Sequence, residues 1–255
     1  ESAAKISVVV LAAWPNLFID AGMASKEAQA LALMSVFLAL YPDSRVDVRW
    51  RRSIGAGLVL GAATLTQPSL TLAFLALAAF EVCRCSNAKV VIIRTALVLL
   101  TVMATIAPWT VRNYAVLGAF VPITTSSGNV LYIGNNDLAW GGWVDFKRYG
   151  ELDAALDVGK DEVAANQEGM RRAFAWMKEN PDRVLVLMPR KHQLFLGDDS
   201  DSVFAALKRG LKIEGALYNA IKIGAIAFWM SISLLMLFCL TRILATRLEP
   251  PPALG

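Results

Sequence analysis

The sequence has few of the residues, and none of the motifs, on which many soluble enzymes depend. It contains one histidine, His192, which excludes a histidine triad or a multi-histidine metal site and which we interpret as a polar residue at a membrane surface. Its three cysteines form no disulfide framework, and the pair Cys83 and Cys85, without histidines, is weak evidence for a metal site. No Walker loop, GxGxxG turn, HExxH or GxSxG motif occurs.

Strong charge is also lacking. The net charge is +4, and only the short loop around Trp50 combines several arginines with an aromatic residue. Domains that bind nucleic acid carry a basic patch as their electrostatic footprint. We therefore predict no nucleic-acid partner.

Apolar residues, by contrast, are abundant. They make up 56% of the 255 residues, and the mean hydropathy is +0.50, whereas soluble domains are roughly 45–50% apolar. The excess lies in blocks, and between Asp137 and Asp201 the chain is as polar as a soluble protein. This pattern favours an all-α membrane protein with a sizeable water-facing portion.

The apolar blocks predict about six transmembrane helices. They cover residues 6–18, 28–41, 54–66, 70–82, 90–109 and 218–240. Several blocks have only about 13–15 residues, fewer than the ~20 that a straight crossing needs, so a soluble bundle of buried helices is the alternative. The sequence begins at Glu1 and enters an apolar run within five residues, and we expect an N-terminal part to be missing.

The charges between the blocks oppose the soluble alternative. Basic residues prevail in the segments 42–53 and 83–89 and in the tail after residue 240, whereas the segment 137–201 has 13 acidic and 9 basic residues. This is the positive-inside pattern. It predicts membrane helices one to five in residues 1–109, a small periplasmic α-rich segment in 110–216, helix six in 217–241 and a cytoplasmic tail in 242–255. The cysteines then lie at the cytoplasmic end, where thiols stay reduced.

The long polar segment carries two further helix patterns. Residues 161–180 place Val163, Met170, Phe174 and Met177 at helical spacing, with acidic residues at the start and Asn180-Pro181 as a stop. Residues 182–196 form a second apolar run that basic residues interrupt, which predicts an interfacial helix rather than a crossing one.

Polar residues gather at the predicted outer face. They are Asp20, Lys26, Glu27, Gln67, Arg112, Asn113 and Lys191. Arginine binds a phosphate bidentately and lysine binds it as a point charge, while a carboxylate can accept a proton from an acceptor hydroxyl. The simpler interpretation of Lys26 and Glu27 is a solvated helix start that Ser25 caps.

The stretch "TTSSGNVLYIGNN" follows the fifth predicted helix. Gly128 and Gly134 with the flanking asparagines, including Asn135, can form turns whose N–H groups point at an anion. Ordinary turns of an outer domain are the alternative.

Taken in order, these stretches resemble bacterial membrane glycosyltransferases of the GT-C superfamily, which include protein O-mannosyltransferases and the lipid A aminoarabinose transferase. The resemblance rests on "WPNLFIDAGMASKE", "GLVLGAATLTQPS", "PWTVRNYAVLGAFVPITTSSGNVLYIGNN" and "NPDRVLVLMPRK", which together span most of residues 7–197. The third stretch is the most specific of the four.

The resemblance implies transfer of a sugar from a polyprenyl-phosphate donor to a lipid or protein acceptor at the bacterial inner membrane. The resemblance itself supplies no match for the family's catalytic acid, and our own candidates for catalytic roles are Glu27 and Asp20, with Glu27 orienting the acceptor, the sugar or a divalent cation. Arg112 is the first choice for the donor phosphate and Lys191 the second. The residues expected to complete the substrate site are Asn113, Gln67, Lys26 and Asn135.

This sequence also departs from the family pattern. The family's usual catalytic acid lies in an outer loop that precedes the first helix seen here. Gln67 stands where arginine is common, and Lys26 stands where a small or hydroxylated residue is common. Two other functions therefore remain open: a transporter or flippase for a lipid-linked glycan, and a non-catalytic membrane subunit. Few charges lie inside the predicted helices, which disfavours the transporter.

Overall fold

The structure is a computed structural model that describes residues 9–10, 12–23, 25–41, 48–84, 87–142, 144, 161–197 and 200–248. Within these residues the regular structure is helical and no strand occurs, which confirms the predicted all-α class. The helices are α1 (Pro15–Gly22), α2 (Lys26–Leu40), α3 (Trp50–Thr66), α4 (Leu70–Arg84), α5 (Ala88–Leu117), α6 (Ser127–Ile133), α7 (Glu162–Glu179), α8 (Pro181–Gly197), α9 (Asp201–Val203, continued by a π-helical turn, Phe204–Gly210) and α10 (Ala216–Leu248).

Two of the described helices are long and apolar enough to cross a membrane. They are α5, with 30 residues and a mean hydropathy of 2.4, and the part Ala216–Cys239 of α10, with 24 residues and a mean hydropathy of 2.0. The helices α2, α3 and α4 have 15, 17 and 15 residues, fewer than the ~20 of a straight crossing. The chain is thus compatible with a membrane protein, and the count of six crossings stays a prediction.

Some expectations concern residues outside the described part. They are the start of the first predicted crossing, the loop arginine Arg45, the second cysteine Cys85 and the end of the C-terminal tail.

The fifth helix is longer than the sequence predicts. It continues through Pro108 to Leu117, eight residues beyond the expected end at Trp109. Proline removes one backbone donor and crowds the preceding turn, yet α5 continues through Pro108 and stops at Gly118, whose left-handed φ of 66° ends helices readily. Arg112 is therefore a residue of the helix and not of the loop after it.

The chain forms two compact units, of which one comprises residues 24–184. In this unit α3 packs against both α2 and α5, and the apolar core includes Phe37, Leu60, Phe74, Val98 and Val102. The backbones of α3 and α5 approach closely, because Gly57 and Gly61 face Thr101 and Thr105. This contact fixes how the two helices lie against each other.

The same unit holds α6 against α7. The predicted helix over 161–180 is confirmed, and the Asp161 carboxylate caps it by accepting the N–H groups of Val163 and Ala164 at 2.9 and 3.3 Å. Its buried face consists of Gly169, Ala173 and Trp176. Phe174 is exposed, contrary to the predicted apolar face, because Gly169 and Gly128 bring the backbones of the two helices so close that a small-residue face is buried instead.

The other unit comprises residues 1–23 and 185–255. Here α1 contacts α9 and α10, and the Trp14 and Trp229 rings stack with centroids 5.4 Å apart. The indole N–H of Trp229 donates to the Leu196 carbonyl at 2.7 Å. The predicted helix over 182–196 is confirmed as α8, which continues through Pro189; its place at a membrane surface stays a prediction.

Candidate functional site

A cleft of about 510 Å³ opens in the unit of residues 24–184. Four parts of the chain form it: the start of α2, the end of α3 with the turn that follows, the last third of α5, and the loop before α6. The lining residues are Lys26, Leu65, Thr66, Gln67, Pro68, Trp109, Ile123, Thr124 and Ser126. Lys26 and Gln67 are 41 positions apart in the sequence, and both were predicted as site residues. They line the same cleft.

Local sequence signals place these two residues. The Ser25 hydroxyl accepts the Ala28 N–H at 3.3 Å and starts α2, so that Lys26 is its first residue. Proline at position 68 disfavours helical backbone in the residue before it, and Gln67 is accordingly extended, with φ −142° and ψ 97°. The turn after α3 therefore begins at the cleft.

Side chains of α5 hold the loop that closes the cleft. The Asn113 amide donates to the carbonyls of Val121 and Ile123 at 3.0 and 3.4 Å, and the Trp109 indole N–H donates to Ile123 at 2.9 Å. Positions 109 and 113 lie on one face of the helix. The loop consequently runs along the end of α5 as a fixed wall.

The cleft is amphiphilic. Lys26, Gln67 and the hydroxyls of Thr124 and Ser126, whose oxygens lie 2.9 Å apart, supply one cation and several hydrogen-bonding groups. The other walls are apolar and consist of Leu65, Pro68, Ile123 and the body of Trp109. Such a lining suits a ligand with an anionic or hydroxylated head and an apolar tail.

Arg112 flanks the cleft without lining it. Its guanidinium carbon lies 5.2 Å from the centroid of the Trp109 ring, and its Nη1 donates to the Asn113 side-chain oxygen at 3.2 Å. Cation–π contacts at exposed sites stabilise by only ~0.5–1 kcal/mol. A stronger anionic ligand can therefore compete for this exposed arginine.

Glu27 lies next to Lys26 at the start of α2. Its carboxylate is 3.9 Å from the Lys26 ammonium, and both side chains are largely exposed, at 57% and 63%. Exposed pairs of this kind stabilise by ~0–1 kcal/mol. Glu27 does not line the cleft, although it belongs to the same helix start.

Three other predicted site residues do not line the cleft. Asn135 is buried, and its amide donates to the Leu131 carbonyl at 2.8 Å. Asp20, in α1, and Lys191, in α8, belong to the other compact unit. Burial lowers the pKa of Lys191.

The anion-binding turns that Gly128 and Gly134 could have formed do not occur in the structure. Residues 127–133 form the short helix α6. The Gly128 N–H donates to the side-chain oxygen of Asn166 at 2.6 Å, and the Gly134 N–H donates to the Val130 carbonyl at 3.3 Å. Both donors therefore have partners inside the protein.

Sequence reasoning missed Glu162. This first residue of α7 accepts the Thr125 hydroxyl at 2.6 Å, and Thr125 lies between two lining residues, Thr124 and Ser126. The partners are 37 positions apart, so no local pattern connects them; the sequence shows only an acidic helix start. Glu162 joins α7 to the wall of the cleft.

Among the residues that the structure describes, no three His, Cys, Asp or Glu side chains lie close enough together to bind a metal ion. The groups that line the cleft are an amine, an amide, hydroxyls and an indole.

Comparison with known proteins adds no assignment to this geometry. No family model, no curated protein and no solved structure matches the chain.

Proposed function

We propose that the chain is a membrane glycosyltransferase that moves a sugar from a polyprenyl-phosphate donor to an acceptor at the periplasmic face of the bacterial inner membrane. The observation that carries the proposal is the amphiphilic cleft, in which Lys26, Gln67 and two hydroxyls stand against apolar walls. The motif resemblance supports the same ligand class. In this proposal the chain crosses the membrane six times, and residues 110–216 lie outside the cytoplasm.

The position of the cleft along α5 supports a lipid-linked ligand. Its Trp109 belongs to α5, near the end of a helix long enough to cross a membrane. Tryptophan is enriched where a crossing helix meets the headgroups. A phosphate at that level meets Lys26, while the prenyl chain lies along Leu65 and Pro68.

The reaction breaks the bond between the anomeric carbon and the phosphate oxygen of the donor. Negative charge then develops on the departing polyprenyl phosphate, and preplaced cations stabilise it. Lys26 lines the cleft and Arg112 flanks it, so these two are the cations that we assign to this charge. The acceptor hydroxyl forms the new bond to the anomeric carbon and gives its proton to a carboxylate, for which Glu27 is the candidate beside the cleft.

The geometry changes the predicted role of Asn113 and leaves that of Gln67 as it was. The Asn113 amide donates to two carbonyls of the loop that closes the cleft, so Asn113 positions this loop and does not bind the ligand. Gln67 lines the cleft and keeps its role as a hydrogen-bonding partner of the ligand.

A non-catalytic subunit that binds a lipid-linked glycan is the second candidate. One observation favours it: Glu27 faces Lys26 and does not line the cleft. Binding without turnover would then be the whole activity of the site.

Binding of farnesyl phosphate tests the ligand class, with farnesol as the matched ligand that lacks the phosphate. The full chain in detergent is expected to bind farnesyl phosphate more tightly, and Lys26→Ala is expected to weaken that affinity by about 10- to 100-fold, since a hydrogen bond to a charged group contributes ~1.5–3 kcal/mol. Farnesol binding should not change. Lys89→Ala, which removes an exposed lysine at the opposite end of α5, is the control.

Equal affinity for the two ligands, or unchanged phosphate affinity in Lys26→Ala, would overturn the proposal. Catalysis is separated from binding by Arg112→Ala, which is expected to abolish transfer from a polyprenyl-phosphate sugar while membrane insertion and helical content stay unchanged. A protein that binds farnesyl phosphate but never transfers a sugar is the binding subunit instead.

A further inference from the structure

One charged cluster lies in the same unit but outside the cleft. Arg94 of α5 is only 2% exposed, and its Nη2 lies 2.5 Å from Oε2 of Glu81, in α4. The Tyr41 hydroxyl, at the end of α2, donates to the same oxygen at 2.7 Å. Three helices thus meet at a single carboxylate oxygen.

Aromatic contacts complete this cluster. The Arg94 guanidinium carbon lies 4.9 Å from the centroid of the Tyr41 ring. The Tyr41 ring in turn packs against Phe37 and Phe74, with centroids 5.3 and 5.9 Å away. Arg94 therefore contacts the face of the Tyr41 ring, and both residues also bind the Glu81 carboxylate.

An ion pair that holds a buried arginine, here against a carboxylate that is 25% exposed, constrains helices differently from apolar packing. Apolar side chains can exchange neighbours when one helix slides along another, whereas a buried charge that leaves its partner stays uncompensated. Selecting one register is the best-attested use of such buried polar groups, and ionisable residues at membrane depth are otherwise rare.

The spacing along the chain relates this cluster to the cleft. Lys26 and Tyr41 stand 15 positions apart around α2, and Arg94 and Trp109 stand 15 positions apart on α5, which is about 22 Å of helix in each case. Tyr41 contacts Arg94 at one end, and Lys26 and Trp109 line one cleft at the other. The two antiparallel helices therefore reach the cleft at equal distances from the cluster.

We infer that Tyr41, Glu81 and Arg94 form a clamp that sets the register of α2 against α5 and so the distance from Lys26 to Trp109 across the cleft. The three are positioning residues, since they act through the helices and not on the ligand. Their effect on ligand binding rests on the proposed function, whereas their effect on the register does not. A slip by one helical turn would move Lys26 by about 5.4 Å.

The register is measured between spin labels on two exposed positions, Gln29→Cys and Ala115→Cys, in the full chain with its native cysteines replaced by alanine. Arg94→Met removes the charge and is expected to shift the distance by several ångström or to broaden its distribution. Affinity for farnesyl phosphate should fall about tenfold or more, because misplacement by ~1 Å already costs binding and catalytic sites heavily. Arg94→Lys is expected to restore both readouts.

Tyr41→Phe is a second variant, which tests the clamp if Arg94→Met does not fold. It keeps the aromatic ring and loses the hydrogen bond to Glu81, and it is expected to broaden the distribution of distances between the spin labels. An unchanged distribution in the folded variants overturns the clamp, even if binding is lost. A changed distribution in a protein whose wild type does not bind farnesyl phosphate supports the clamp and overturns the proposed function instead.

Discussion

Glu168, on α7, accepts hydrogen bonds from two neighbouring arginines. Arg171 donates through Nε and Nη2, each at 2.7 Å, and Arg172 donates through Nε at 2.6 Å. Hydrogen bonds from Arg171, and then from Arg172, lower the pKa of Glu168 from 4.5 to about 2. A carboxylate whose pKa falls on folding stabilises the fold above its unfolded pKa, and this contribution is lost as the pH falls from about 4.5 towards about 2.

We therefore expect Glu168→Gln to lower the melting temperature at pH 7 by only ~1–2 °C, because solvent reaches both arginines, which are 68% and 36% exposed, and screens the cluster. The difference from the wild type should shrink through pH 4.5–2 and vanish near pH 2, as followed by circular dichroism in detergent. Glu179→Gln, which removes an exposed carboxylate of α7 outside the cluster, controls for the lost charge. A difference that stays constant down to pH 2 contradicts the assignment.

Single residues also show where sequence reasoning stops. Arg112 and Asn113 were predicted together as ligand-binding residues, yet neighbours on a helix point about 100° apart. Asn113 faces the loop and is buried, while Arg112 is exposed beside Trp109. Only one of the two side chains can face the loop that closes the cleft. Which one does so depends on where the loop packs, and residue types alone do not predict this packing.

At the scale of elements, the contact of α3 with α5 depends on two glycines. A Cβ at Gly57 would stand 2.6 Å from Cβ of Thr101 and 2.9 Å from the Val98 carbonyl, and one at Gly61 would stand 2.6 Å from Cβ of Thr105. A Cβ at Gly55, on the same helix, would meet only Cδ1 of Leu40 at 3.8 Å. Steric cost and helix propensity therefore act in opposite directions at these positions.

Gly57→Ala and Gly61→Ala are each expected to destabilise the fold by about 1–3 kcal/mol, the usual cost of overpacking. Gly55→Ala should stabilise it by up to ~1 kcal/mol, because alanine favours helix more than glycine does. Reversible unfolding in mixed detergent measures all three. If Gly57→Ala and Gly61→Ala also stabilise the fold, as expected for Gly55→Ala, then α3 and α5 do not approach each other this closely.

Helix starts were predictable because their signals are local. Ser25 before α2 and Asp161 before α7 each cap the helix that the pattern predicts. The end of α5 was not predictable in this way. The apolar block ends at Trp109, next to Pro108, whereas the helix continues to Leu117 and is capped by Gly118. The link from Glu162 to Thr125 joins distant segments, and such pairings follow from packing and not from periodicity.

For the whole molecule, the sequence predicts which side of the membrane each part occupies. Basic segments precede α5, and a net-acidic segment follows it, so the positive-inside rule predicts that the start of α5 lies in the cytoplasm. With 30 residues, the helix is about 45 Å long, against a hydrocarbon core of ~30 Å. Its two ends therefore reach opposite sides if it crosses.

The orientation is tested with single cysteines at two exposed positions, Ser127→Cys after α5 and Lys89→Cys at its start, in a chain without native cysteines. In intact spheroplasts a membrane-impermeant maleimide should label Ser127→Cys fully and Lys89→Cys only after lysis. Only α5 lies between the two positions, so the result depends on this single crossing and not on whether α2, α3 and α4 also cross. Labelling of Ser127→Cys only after lysis would place the cleft at the cytoplasmic face, and a periplasmic transferase could not then use it.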